Sequence, residues 1–388
     1  MDWGTALMDK IKLKWKIFAF LIGFCFLLLT ILWFFQTVFL SDMYKFIRKI
    51  EIKKAVIHVL DKGADEPLLN EFELDINEDI QLFLEKHITK SINDDDARKG
   101  RFKEGLNIVR DVSYRILSDN DYFLEGSKEI ARQLFKAIKT NSSISSTDLI
   151  ICLYEDDNVP AVAILKMDYT VSFIHDIEVV ENKFKINIRK QDISLPGVNQ
   201  RIQKCAFVLY PGINSDYELV ILDNQISKGA EEPIALFFLQ TFLGAELVLD
   251  SKACTKILKK ETEKWVRSKI KEGEPFAEEV RDMVNTAIHE EDEIDIETFS
   301  NRIFGKKEEL RDEFVSNLRE KGLTHEKFEV DREWVEKKLS KIRLKTDDNI
   351  EIVIDYELFG NRDKFEIISN PDGTRTIIIK NIWGLNQN

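Results

Sequence analysis

Residues 148–169 read DLIICLYEDDNVPAVAILKMDY. Two unbroken apolar runs, LIICL and AVAIL, flank the turn-forming EDDNVP. Each run has the length of a strand, and the link between them is short, so the two are antiparallel neighbours. Their continuous apolar character places them at the centre of a sheet. Further strands follow at KFKINIRK (183–190), CAFVLY (205–210) and YELVILD (217–223), with SLPG and PGINSD as turns. In KFKINIRK, apolar Phe184, Ile186 and Ile188 alternate with Lys183, Lys185, Asn187 and Arg189, so one face meets solvent.

Working back from this block, NSSISST (141–147) is a polar connector. Helical spacing fits Ile130, Leu134 and Ile138, and also Phe102, Leu106, Val109 and Ile116. Asn77 is a helix cap, followed by Glu78 and Asp79 in the first turn and Lys86 and Lys90 near the end, as the helix dipole prefers. Ile80, Phe83, Leu84 and Ile88 form the apolar stripe of that helix. IKKAVIHVL (52–60) and LLNEFELDI, with Phe72, Leu74 and Ile76 alternating, read as a hairpin closed by a longish loop.

Working forward, IALFFLQTFL (234–243) reads as a buried helix ended by Gly244, too short to cross a bilayer. Helices dominate from 251 to about 340. KIRLK, EIVIDYELF, FEIISN and RTIIIK then form a β-meander, with Asn370-Pro371-Asp372-Gly373 as a hairpin turn. The fold class is α+β: a central antiparallel sheet with helices and a C-terminal β-meander. The expected domains are an N-terminal membrane anchor (1–50), an α+β domain (51–245) and a helical region with the meander (246–388).

The anchor rests on Ile17–Leu40, IFAFLIGFCFLLLTILWFFQTVFL, 24 residues without a charge. As a helix it spans about 36 Å, enough for a bilayer core of roughly 30 Å. It ends without an A-x-A cleavage pattern, which favours an uncleaved transmembrane helix. Lys10, Lys12, Lys14 and Lys16 precede it, and Lys45, Arg48, Lys49, Lys53 and Lys54 follow. These flanks nearly balance, so charge does not set the orientation.

Composition narrows the function classes. In 388 residues, 44% are apolar and 32% charged, with only 7 Pro and 16 Gly, which excludes collagen, low-complexity linkers and wholesale disorder. Four Cys exclude a disulfide-stapled scaffold. Cys25, Cys152, Cys205 and Cys254 lie far apart, so no zinc site and no cofactor is implied. Such free thiols suit a reducing cytoplasm. Residues 1–54 hold nine Lys/Arg against four Asp/Glu, a net of +5, so with −13 overall the rest carries −18. That argues against a generic basic DNA coat.

The densest positive charge after the anchor is Lys252, Lys256, Lys259, Lys260, Lys264, Arg267, Lys269 and Lys271, opposed only by Glu261 and Glu263. Lys252, Lys256, Lys260, Lys264 and Arg267 recur at three- and four-residue steps, with Lys271 joining, so one helical face carries a basic stripe suited to phosphates. The competing reading is a solvated helix paired with acidic neighbours. Residues 272–297 hold eleven Asp/Glu and one Arg, which makes such pairing easy. KFKINIRK is a second candidate phosphate face, and Lys341, Arg343 and Lys345 a weaker third. Acidic faces near 61–96 and 272–297 fit a protein–protein module or a DNA mimic. Asp176, Glu181 and Lys183 are faintly like a D…ExK nuclease core, in which two carboxylates hold Mg²⁺ and the Lys orients water. There is no P-loop, no H-E-x-x-H and no G-x-S-x-G, and the five His are scattered.

Two resemblances add to these readings. The run KWKIFAFLIGFCFLLLTILWFFQTVFL, which begins at Lys14 within residues 10–55, resembles the first transmembrane helix of Gram-positive sensor histidine kinases, but no phosphoacceptor box or ATP lid follows. From about residue 52 to the end, the chain resembles bacterial nucleoid-associated proteins of the NdpA family. IKKAVIHVLDKGADEPLLNEFELDINEDIQLFLEKHITKS, FFLQTFLGAEL (237–247) and DYELFGNRDKFEIISNPDGTRTIIIKNI carry that likeness. It implies a non-enzymatic protein of the nucleoid or cytoplasm, here tethered to the cell membrane. The implied partners are DNA or nucleoid proteins, with the membrane engaged through the N-terminal helix and a homo-oligomer left open. The nucleic-acid contacts would be Lys252, Lys256, Lys259, Lys260, Lys264, Arg267 and Lys271.

Overall fold

The computed structural model describes residues 50–141, 143–214, 216–225, 234–271 and 274–384. The run Ile17–Leu40, read as a membrane span, lies outside them. Among the described residues no helix is long and apolar enough to cross a membrane. The chain divides into two compact units, the first ending at Glu246.

The core of the first unit is a seven-stranded antiparallel sheet. Its strands are β1 (Ile50–Leu60), β2 (Arg98–Phe102), β3 (Thr147–Asp156), β4 (Val159–Asp168), β7 (Lys204–Leu209), β8 (Leu219–Asp223) and β9 (Ala245–Leu247). They run in the order β1-β3-β4-β7-β8-β2-β9. The register at the centre sets Ile151 opposite Ile164 and Ile164 opposite Ala206. Helices cover both faces. Leu84 and Ile88 of α1 (Glu78–Ile92) pack with Cys152, Ala163, Cys205 and Phe207. Side chains alternate along a strand, so Leu149, Ile151 and Leu153 point to the other face. On the remaining helices, α2 (Ile108–Ser118) lies against β4 and α3 (Phe123–Thr140) against β1 and β3. This two-sided cover is why β3 and β4 read as continuous apolar runs rather than alternating ones.

The Asn77 cap forms as expected, its side chain accepting from Ile80 N at 2.9 Å. The hairpin expected over 52–76 does not. Only Val59 and Leu68 exchange backbone bonds, both 2.9 Å, and Leu74 N reaches Ala55 O at 2.8 Å. Between them the chain is held by a side chain instead, with Asn70 N donating to His58 Nδ1 at 3.1 Å. Phe102 belongs to β2, not to a helix, and β2 pairs with β8 through Gly100 and Leu219. The Phe-rich segment forms a π-helical turn over Phe237–Phe242. Gly244 follows it at φ +60°, where a Cβ would lie 2.6 Å from Asn107 Nδ2. Asn107 Nδ2 uses that space to donate to the carbonyls of Leu243 (2.9 Å) and Gly244 (3.0 Å).

Between β4 and β7 the chain forms a two-stranded ribbon, β5 (Thr170–Val180) and β6 (Lys183–Ser194), whose strands pair only with each other. The alternation in KFKINIRK is real, yet Phe184, Ile186 and Ile188 are exposed along with the polar face.

The second unit packs α4 (Ser251–Lys269), α5 (Pro275–Glu290), α6 (Ile296–Phe304), α7 (Glu308–Glu320) and α8 (Arg332–Leu339) around Trp265. The rings of Phe304 and Phe314 stand edge-on to Trp265 at 5.5 and 5.3 Å. Asp250, Asp295 and Asp331 cap three of the helices, each accepting a backbone N–H at 2.8 Å. A short antiparallel pair, β10 (Glu293–Asp295) and β11 (Lys327–Glu329), ties α5–α6 to the segment after α7.

The expected C-terminal meander is two separate hairpins. One joins β12 (Lys341–Lys345) to β13 (Glu351–Asp355), the other β14 (Phe365–Ser369) to β15 (Arg375–Ile379). A single helical turn, α9 (Tyr356–Phe359), separates them. Tyr356 stacks on His289 of α5 at 3.5 Å with rings 3° from parallel, and its N–H bonds Ser340 O at 2.8 Å. These contacts turn the chain out of the β13 direction before a third strand can pair.

Candidate nucleic-acid interface

The basic stripe lies on α4, and packing decides which of its cations face outward. Ala253, Cys254, Leu258, Trp265 and Val266 face the core of the second unit. The opposite side presents Lys260, Lys264 and Arg267, all exposed and spaced i, i+4, i+7, so they form one row. Lys271 is exposed just beyond the helix end. Lys252 and Lys256 are half-buried at the N-terminal end. Lys259 turns inward to Asn285 Oδ1 of α5, and burial pulls its pKa below the usual lysine value. The spacing alone could not separate Lys259 from its neighbour Lys260.

Acidic neighbours answer part of the row. Lys264 Nζ lies 2.9 Å from Glu261, whose side chain is buried, and Arg267 Nε lies 2.9 Å from Glu263. Glu263 is shared with Arg281 Nε of α5 at 3.0 Å, and Lys269 pairs with Glu313 of α7. The carboxylates of Glu261 and Glu263 belong to α4 itself, so they offset charge without covering the row. Arg267 and Lys269, in the last turn, also face the negative end of the helix dipole.

The other candidate surfaces are more fully matched. In the ribbon, Lys183, Lys185 and Arg189 share a face with Asp176 and Glu178, and Lys185 lies 3.6 Å from Glu178. On β12, Lys341 and Lys345 stand opposite Asp355 and Glu351. The D…ExK arrangement is broken by the fold. Asp176 sits within β5, whereas Glu181 is in the turn at the ribbon tip, five residues away or about 15 Å at a strand's rise. Two carboxylates that far apart cannot share one Mg²⁺. Among the described residues no group of His, Cys, Asp and Glu could hold a metal ion. Cys254 Sγ approaches His325 Nδ1 at 3.9 Å, and burial pushes the thiol up to about 12, which disfavours the thiolate.

A charge cluster that the sequence reading passed over lies inside the first unit. Lys166 of β4, Lys204 of β7 and Asp223 of β8 are cross-strand neighbours and all buried. Lys204 Nζ meets Asp223 Oδ1 at 2.5 Å, and Lys166 meets the carboxylate of Asp168. Asp223 also accepts from Gln225 N (3.0 Å) and Ala235 N (2.9 Å), and Gln203 Oε1 accepts from Asp168 N (2.9 Å). Desolvation lowers the Lys166 pKa, with Asp168 opposing it. Two cations against two carboxylates leave nothing over for a ligand. The cluster fixes register and pins the chain where it returns at Ala235. Its sequence signal was a lysine or aspartate at matching places in three otherwise apolar strands.

A family model described as "Nucleoid-associated protein YejK" matches residues 56–384. No curated protein matches the chain.

Proposed function

We propose that the chain, which belongs to the nucleoid-associated YejK family, acts without catalysis by holding DNA or a DNA-bound partner against the outer row of α4. The observation that carries this reading is the placement of Lys260, Lys264 and Arg267 side by side on the solvent face of one helix. Exposed ion pairs of the Arg267–Glu263 kind contribute about 0–1 kcal/mol, so exchanging that carboxylate for a phosphate costs little. The body's charge of −18 keeps such contact local, because a patch acts within about 10 Å at 0.1 M salt. The apolar run Ile17–Leu40 would hold this contact at the membrane, and fractionation with protease protection tests that anchoring separately.

The test of the row is salt dependence. In the full chain, Lys260→Gln, Lys264→Gln and Arg267→Gln together should lower affinity for duplex DNA and reduce the slope of log K against log salt by roughly 2–3. Lys259→Gln, which alters an inward side chain, should leave the slope unchanged. A triple variant that keeps the full slope removes α4 from the interface.

A further inference from the structure

The ribbon is amphipathic, and none of the described residues covers its apolar side. The register of β5 and β6 pairs Val179 with Phe184, Ile177 with Ile186, His175 with Ile188 and Phe173 with Lys190, all on one face. On that face Phe173 is 68% exposed, Ile177 54%, Val179 67%, Phe184 80%, Ile186 67% and Ile188 80%. The other face holds Asp176, Glu178, Lys185 and Arg189. A lone two-stranded ribbon is marginal in water, and soluble monomers rarely expose so large a contiguous apolar patch.

We infer that this face is a self-association surface, on which two copies of the chain pack their ribbons face to face. Area supports a second copy as the occupant. The six apolar side chains expose about 700 Å² per ribbon, so two copies would bury about 1,400 Å², within the 1,200–2,000 Å² of stable interfaces. At the base of the face Lys190 is already paired with Asp192, and the chain as a whole is strongly acidic, so the apolar area has to drive the contact.

Cross-linking of the full chain tests this. Ile186→Cys treated with a short bismaleimide should give a covalent dimer, and Asn187→Cys, on the other face, should give none. Adding Phe184→Asp and Ile188→Asp to Ile186→Cys should abolish the dimer. Three results would overturn the inference. The first is an Ile186→Cys thiol that accepts a single maleimide yet never dimerises. The second is a product joining that thiol to Cys25 within one chain, which would make the apolar N-terminal run the occupant. The third is cross-linking only to a different protein.

Discussion

Two hairpins follow one another in this chain, and they differ in nearly everything except their turns. The β3–β4 hairpin is buried on both faces beneath helices, whereas the β5–β6 hairpin leaves even its isoleucines and phenylalanines in solvent. Both close through two-residue loops with positive φ at each central residue, 51° and 69° at Asp157–Asn158 and 48° and 59° at Glu181–Asn182. This is the turn whose twist matches paired strands. Local chemistry therefore builds either hairpin. What separates them is whether the described residues supply a layer to cover them, and that determines where stability resides and where a partner can act.

The widest contrast lies between the ion pairs of the sheet and those of the ribbon. Lys204 and Asp223 are sealed in the sheet, while Lys185 and Glu178 face water on the ribbon. Removing one partner of a buried pair strands the other, so Asp223→Ala should lower unfolding free energy by about 3–5 kcal/mol. Glu178→Ala should change it by less than about 0.5 kcal/mol. Denaturant titration of both variants reads the difference, and equal effects would mean the ribbon is as enclosed as the sheet.

A second contrast depends on pH. His58 of β1 is fully buried in a chain of bonds that fixes it neutral. Asn70 N donates to Nδ1 (3.1 Å), Nε2–H donates to Ser127 Oγ (3.0 Å), and Ser127 Oγ donates to Leu124 O (2.6 Å). Burial, together with the charges of Lys128 and Arg132, lowers its pKa from 6.5 to about 4. The unfolded chain thus takes up the proton first as pH falls. The stabilisation is complete above pH 6.5 and is lost progressively between 6.5 and 4, by about 3 kcal/mol in all. Unfolding curves between pH 7 and 4 should follow that slope, and His58→Gln should flatten it.

The same contrast explains what could be read from sequence. LIICL and AVAIL announced central strands because helices on both sides demand apolar residues at every position. β2 was missed because RKGRF carries three cations in five residues, and Phe102 fell by chance into helical spacing with Leu106 and Val109. β5, TVSFIHDIEVV, was missed although its partner strand was recognised, since neither apolar run nor clean alternation marks it. Alternation in KFKINIRK correctly separated two faces, but it carries no information on whether the apolar one is covered within the chain. On α4 the periodicity located the basic stripe, while the inward turn of Lys259 depends on Asn285, 26 residues further on. The Lys166–Lys204–Asp223 cluster depends on register across three strands, which no local pattern reports.

The finest distinction uses the shared turn. Asn tolerates the left-handed backbone of both loops, and alanine pays roughly 1 kcal/mol there. Asn158→Ala should therefore lower global stability by about 1 kcal/mol, because the β3–β4 hairpin opens only when the whole sheet does. Asn182→Ala costs the ribbon the same, but the ribbon can open alone. Its global unfolding midpoint should barely move, while native-state amide exchange across residues 172–191 speeds up about five-fold, the equivalent of 1 kcal/mol. The exchange is best followed at high dilution, where self-association adds no protection. If Asn182→Ala lowers the global midpoint as far as Asn158→Ala does, the ribbon unfolds together with the sheet, and the two hairpins share one cooperative unit despite their opposite exposure.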